Sequence, residues 1–206
     1  MKKTNIIITV LVLLLAVGVS AVTLQGTQTV DEMTESIVKA CSGINSLKCD
    51  VAQTRRTPFI EEPSKSYGTM LFIKPSRFCL NYNDPYKWIL KVDGKNIVAG
   101  FDEAELDGDI GRLYKSISDM ILSCMSGELL KDKRTFKVTV TDTGDEWKAV
   151  LIPVRRDMKK IFDQIELGFD PQTRLLRRLV MNDSAGGITE ILVSNVKLNG
   201  DYEAEW

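Results

Sequence analysis

Histidine is missing from all 206 residues of the chain. That absence removes Ser-His-Asp and Cys-His nucleophile systems and every His-ligated metal site. Carboxylate chemistry and a Ser-Lys pair survive it, so catalysis is narrowed rather than abolished. Positive charge is not in excess either: 27 Lys and Arg stand against 28 Asp and Glu, a formal net charge of −1. A general nucleic-acid binder carries a basic excess on one face, so nucleic acid is not an expected partner. The cysteines Cys41, Cys49, Cys79 and Cys124 include no CxxC pair, which argues against a redox couple or a zinc site. An even count in an exported chain permits disulfides, and buried free thiols acting as small hydrophobes fit the same positions. Glu103, Glu105, Asp107 and Asp109 miss the spacing of a calcium loop and read as a solvated loop. Arg155-Arg156 and Arg177-Arg178 read as solvated faces. No catalytic residue, metal or cofactor is assigned.

Long apolar runs are equally scarce. The one at the start, Ile6 to Val19, covers about 14 residues, short of the roughly 20 that span a bilayer. It follows Lys2 and Lys3 and leads into Val19-Ser20-Ala21, the small-residue pattern a signal peptidase accepts. Residues 1–21 are therefore expected to be a cleaved signal peptide, with the mature protein starting near Val22. The first cysteine, Cys41, lies too far downstream for lipidation at the cleavage point. The expectation is a soluble periplasmic monomer in a Gram-negative-type envelope, slightly acidic once Lys2 and Lys3 are gone.

What remains is rich in short β-prone segments. Met33, Ile37, Cys41 and Ile44 recur at three- and four-residue spacing and predict a helix over Asp31–Ile44. Leu113, Ile117, Met120, Ile121 and Cys124 form one stripe and predict a second over Ile110–Leu130. Arg155–Phe162 is a third candidate. Leu47, Cys49 and Val51 alternate with polar neighbours, and Gly68–Lys74 is apolar before Pro75-Ser76 turns the chain into Phe78, Leu80 and Tyr82. Asp93-Gly94 sits between two apolar runs and marks a hairpin. Further turns fall at Thr143-Gly144-Asp145, Asp170-Pro171 and Ala185-Gly186-Gly187. Strands so joined form an antiparallel meander. The expected fold is α+β, mainly β: one strongly curved antiparallel sheet under two to three helices, a single domain over 22–206. Its concave face must be buried, against either a filled core or an apolar cavity, and composition leaves both open.

Taken in order, several segments resemble the periplasmic outer-membrane lipoprotein carrier family, the LolA type. Ser46–Gln53 is similar to its first strand, which ends in a recurring Gln. Gly68–Pro75 followed by Arg77-Phe78 resembles its glycine-strand-basic-Pro-x-x-Phe segment. Pro85, Ile89-Leu90 and Asp93-Gly94-Lys95 match the next hairpin. Phe136-Lys137-Val138, Leu151-Ile152-Pro153, Asp183, Gly187, Thr189 and Asn199 continue the pattern, which covers roughly Val30 to Gly200.

The resemblance implies an unclosed β-barrel whose helices form a lid over an apolar cavity. It implies a non-enzymatic carrier that receives acylated lipoproteins from an inner-membrane ABC transporter. Delivery would be to an outer-membrane acceptor, either a protein or the membrane itself. Met70, Phe72, Phe78, Leu80 and Tyr82 on the sheet, with Leu113, Ile117, Met120 and Ile121 on the second helix, are then the expected lipid-binding residues. Each is also an ordinary core position, and Met125 joins Met70 and Met120 as an adaptable lining residue. Lys74 stands where the family commonly has an arginine that holds the empty lid closed. It shares a strand face with Met70 and Phe72, and it also fits a strand-end lysine reaching water. Glu203-Ala204-Glu205-Trp206 departs from the family's Pro-x-Gly-Val-type tail. The alternative on the same fold is a lipid- or glycolipid-binding protein or an envelope-stress sensor. A carboxylate hydrolase has only the abundance of acids in its favour.

Overall fold

The computed structural model describes residues 29–206; the expected signal peptide and the start near Val22 lie outside the described residues. Thr29 caps the first helix, α1 (Val30–Ser42): its hydroxyl accepts the Glu32 N–H and its own N–H donates to Glu32 Oε2 at 2.8 Å. This reciprocal box satisfies two of the donors that a helix start leaves open. Met33, Ile37 and Cys41 form the buried face. The second helix, α2 (Gly108–Met125), stops short of the expected Leu130. Gly127 ends it with φ of 72°, at a point where a Cβ would meet Ile37 Cγ2 at 2.6 Å. Only glycine fits so close a crossing in that conformation. The chain continues as one 3-10 turn, Glu128–Lys131. The third helix, α3, is a single turn, Arg156–Lys159, with no buried residue to hold a longer one; Phe162 opens a strand instead.

Eleven strands make up one sheet: β1 (Ser46–Arg56), β2 (Ser64–Ile73), β3 (Arg77–Asp84), β4 (Trp88–Asp93), β5 (Asn96–Gly100), β6 (Ala104–Glu105), β7 (Phe136–Asp142), β8 (Trp147–Pro153), β9 (Phe162–Phe169), β10 (Leu176–Asp183) and β11 (Ile188–Leu198). Their order is β6-β5-β4-β3-β2-β1-β11-β10-β9-β8-β7, antiparallel throughout, with β6 and β7 left unpaired to each other at the two edges. The barrel is unclosed, as expected. Leu90 on β4 and Leu151 on β8 share one buried core, so the sheet curls around it. The short β6 replaces part of what reads in sequence as a solvated loop.

Alternation sets the two faces. Cys49, Met70, Leu80, Leu90 and Ala99 lie directly opposite one another across β1 to β5, and all are buried on the concave side. Gly68 sits at the register shift between β2 and β3, where a Cβ would come 2.0 Å from the Asn81 carbonyl oxygen. On the convex side Leu71 and Ile73 pack with Tyr202, and Cys79 and Trp206 join them. The segment around Glu203–Trp206 is held there by Arg77, which donates to Glu203 at 2.8 Å, and by a Lys48–Glu205 pair. Lys91 Nζ donates to the Trp206 carbonyl at 2.8 Å and lies 4.6 Å from its ring centre. All four cysteines are free thiols. Burial pushes the Cys49 and Cys124 thiols up to about 12, which keeps them protonated and unreactive.

Candidate functional site

The space between sheet and helices is filled unevenly. A hollow of about 600 Å³ lies under the C-terminal ends of α1 and α2. Its apolar walls include Val38 and Cys41 from α1, Leu122 and Met125 from α2, and Leu47, Phe72, Leu176 and Val196 from the sheet. Exposed Lys74, Asp119 and Glu128 bring charge to the same hollow. Lys74 Nζ stands 3.4 Å from the carbonyl oxygen of Ser42, the last residue of α1. Carbonyls at a helix C-terminus lack intrahelical partners and carry the negative end of the dipole, so a cation is well placed there. The distance is at the long limit for a hydrogen bond. The Lys74 backbone N–H also donates to the Asn45 carbonyl at 2.8 Å.

A second hollow, of about 350 Å³, lies farther along α2. It is aromatic: Trp88 sits between Tyr82, with ring centres 6.1 Å apart, and Tyr114, at 6.3 Å. Ile117, Leu80 and Ile121 complete its inner wall, with exposed Tyr86 and Phe101 on the outside. The Tyr82 hydroxyl donates to Gln53 Oε1 at 2.9 Å. Burial raises the Tyr82 phenol well above its ordinary value, so it stays a neutral donor.

Between the two hollows the apolar walls nearly meet. Met70, Leu80, Ile121, Met125, Leu176 and Ile191 surround a gap of only about 10 Å³. The interior is therefore neither the solid core nor the single cavity that the sequence left open. Phe72 and Lys74 border the first hollow; Leu80, Tyr82, Ile117 and Ile121 border the second; Met70 stands at the constriction. Phe78 is fully buried in the core and Met120 half-buried against it; neither borders these spaces. Leu113 is on α2, and its side chain lies outside what the structure describes.

Sequence reasoning missed Leu122, Leu176 and Val196. Leu122 stands beside the recognised α2 stripe and was within reach of a helical reading. Leu176 and Val196 come from distant strands and give no local signal. In the sequence Asn199 is only one member of a family-like pattern. Its Oδ1 accepts the Asn45 N–H at 2.7 Å, its Nδ2 donates to the Gly43 carbonyl at 3.1 Å, and its N–H donates to the Ser46 carbonyl at 2.8 Å. It thus clasps the α1–β1 connection to the end of β11, with φ of 55°, a conformation that asparagine tolerates. Asp183, Gly187 and Thr189 play a similar part at the β10–β11 turn. Asp183 Oδ1 accepts the Gly187 N–H at 2.8 Å, and Arg55 donates to Asp183 at 3.2 Å and to Thr189 at 2.8 Å. The Gly187 and Ala185 N–H groups, with Arg55, hold the Asp183 carboxyl below the usual range.

Among the described residues no cluster of His, Cys, Asp and Glu could hold a metal ion, and no helix is long and apolar enough to cross a membrane. Glu103 pairs with Lys87 at 2.8 Å, and Asp109 pairs with Arg112. Both hollows offer apolar walls with a few polar groups at their edges.

The sequence model of the outer membrane lipoprotein carrier protein LolA matches residues 42–206, from the last residue of α1 through every strand. The chain belongs to the LolA family. One LolA-family relative, the outer-membrane lipoprotein carrier protein of Nitrosomonas europaea, is 26% identical over 135 residues, 66% of this chain and 64% of that one. The match thus spans just under two thirds of that relative. The protein of the same name from Cupriavidus pinatubonensis is 24% identical over 180 residues, 83% of this chain and 80% of that one. Among solved structures, the lipoprotein LppX of Mycobacterium tuberculosis is similar at 14% identity with a TM-score of 0.48, covering 84% of this chain and 98% of that one.

Proposed function

We propose that this LolA-family protein is an exported periplasmic carrier that shields the acyl chains of lipoproteins in transit between two membranes. It would accept them from an inner-membrane ABC transporter and pass them to an outer-membrane acceptor, working as a monomer and without covalent chemistry. The observation that carries this reading is the hollow of about 600 Å³ walled by Leu47, Phe72, Leu122 and Met125, with Lys74 at Ser42 beside it. A sixteen-carbon chain needs about 500 Å³ at about 30 Å³ per water-sized group, so the space suits one long chain. Exposing such a chain to water costs on the order of 10 kcal/mol at about 0.8 kcal/mol per methylene, which is why transit requires a box. Release requires that the box not fit too well, and flexible Met125 and Met70 serve that need.

Lys74 is proposed to favour the closed, empty form through the end of α1. The test is mass spectrometry of protein recovered gently from the periplasm. Acylated lipoproteins should co-purify, and a fluorescent fatty acid bound to the emptied protein should be displaced by a triacyl lipopeptide. A probe that keeps its aqueous fluorescence at every protein concentration overturns the reading.

A further inference from the structure

We infer that the constriction formed by Met70, Leu80, Ile121 and Met125 is an internal gate that sets how many acyl chains the protein holds. The inference rests on the acyl-carrier reading above. The first hollow, at about 600 Å³, has the volume of about one sixteen-carbon chain at about 30 Å³ per group. The second, at about 350 Å³, has room for about a dozen water-sized groups at about 30 Å³ each. A cargo with two or more chains has to use both. The path between them has about 10 Å³, less than one methylene needs.

The same side chains wall the gap and the rooms. Met125 and Leu176 belong to the gap and the first hollow; Leu80, Ile121 and Ile191 belong to the gap and the second. Moving a few of them merges the two spaces without parting the sheet. Met125 is built for this. Its carbonyl accepts the Cys41 thiol at 3.3 Å, which ties the backbone to α1, while its side chain is only partly buried. An unbranched thioether changes rotamer easily. One-chain amphiphiles load past a closed gate, and multi-chain cargo loads only as the gate opens.

The experiment compares two synthetic lipopeptides of one peptide sequence, carrying one palmitoyl chain or two on a diacylglyceryl cysteine. With the unaltered protein in excess, the loading rate of the one-chain peptide should rise linearly with concentration. That of the two-chain peptide should level off at the rate of gate opening. Leu80→Ala enlarges the gap and should shift the affinity ratio toward the two-chain peptide by about tenfold or more; Ile191→Phe fills it and should shift the ratio the other way. Linear loading of both peptides, or ratios that do not move in opposite directions, overturns the gate. The kinetics of the unaltered protein decide the matter if either variant fails to fold. Failure of both peptides to bind overturns the acyl-carrier reading instead.

Discussion

The two long helices cover interiors of different quality. α1 lies against β7, over a region where Ala149, Leu151, Ile165, Leu167 and Phe169 are all 0% exposed, as is Ile37 from the helix itself. The Arg174 guanidinium sits 3.6 Å from the centre of the Trp147 ring and reaches Ser36 of α1 at 3.4 Å. α2 lies against β4, β5 and β10; Ile121 and Cys124 are buried, yet Tyr114, Ile117, Met120, Leu122 and Met125 are only partly so, and both hollows open beneath it, the first shared with the C-terminal end of α1. The difference teaches a division of labour. The strands β8 and β9 with Ile37 are closely packed, and the interior under α2 is loosely filled. Elements with few fully buried contacts open at least cost, so the partly buried stripe of α2 is where opening is expected.

The strongest way to break this comparison is to truncate one residue on each side. Leu167→Ala removes atoms from a site without free space and should cost about 2–5 kcal/mol. Ile117→Ala removes atoms that already face a hollow, lose fewer contacts, and should cost about 1 kcal/mol or less. Urea midpoints of the two variants measure this directly, and equal losses mean that the hollow side is as tightly packed as the other. Next comes Asn199, whose clasp sets the end of α1 at the first hollow. Asn199→Ala gives up three side-chain hydrogen bonds, the longest of them from the Ser46 N–H, in a left-handed conformation and should cost about 2 kcal/mol. Asn199→Asp keeps the acceptor for the Asn45 N–H and should lose about half of that. Identical losses for the two would show that the bond to Asn45 contributes nothing.

Asp183 gives a smaller effect with a defined pH dependence. Its folded carboxyl is held below the usual range, chiefly by the Gly187 N–H. A depressed folded value stabilises the protein above the unfolded value of about 4. That contribution is lost as pH falls from there through the folded value. Asp183→Asn should therefore be less stable by about 1 kcal/mol at neutral pH and converge on the parent protein in acid. A constant difference from neutral pH down to the acid limit would remove the charge from the explanation.

Much of this architecture is legible in the sequence because local chemistry specifies it. The β4–β5 hairpin falls where Asp93-Gly94 marks it, with Gly94 and Lys95 as its loop residues and Gly94 at φ of 59°, and the Met33–Ile37–Cys41 spacing gives the buried face of α1. The end of α2 is not local: Gly127 stops it because Ile37 of another helix stands in the way. α3 is one turn because none of its residues is fully buried, and only Met158 packs partly against the core. The lining residues divide on the same principle. Phe72, Leu80 and Tyr82 follow from strand parity once the concave face is known, whereas Leu176, Val196 and the function of Asn199 depend on strands remote in the chain. Parity does not tell a wall from a core, so Phe78 has the pattern of a lining residue and the environment of a packed one. The convex patch under Tyr202 and Trp206 has no local signature, since Leu71, Ile73 and Cys79 read simply as the other side of two strands.

Lys74 is the smallest effect and the most direct probe of how the hollow side closes. A charge-assisted hydrogen bond of ordinary length contributes about 1.5–3 kcal/mol, but the Lys74 ammonium is exposed and 3.4 Å from the Ser42 carbonyl. Water competes for both groups, and the gain should fall to about 1 kcal/mol or less. That corresponds to a change of about fivefold or less in the ratio of closed to open forms. Lys74→Leu should therefore load an apolar probe slightly more readily and release it more slowly, because the empty closed form no longer competes as well. Lys74→Arg should preserve hand-off or improve it, since a planar guanidinium presents several donors in a fixed fork to the end of α1. The measurement is loading by, and transfer from, the three proteins in parallel, at low and high salt. Salt should narrow the differences if charge at the helix end is the cause. Three indistinguishable proteins would leave Lys74 a solvated strand end, and closure would then rest on the packing of α2 alone.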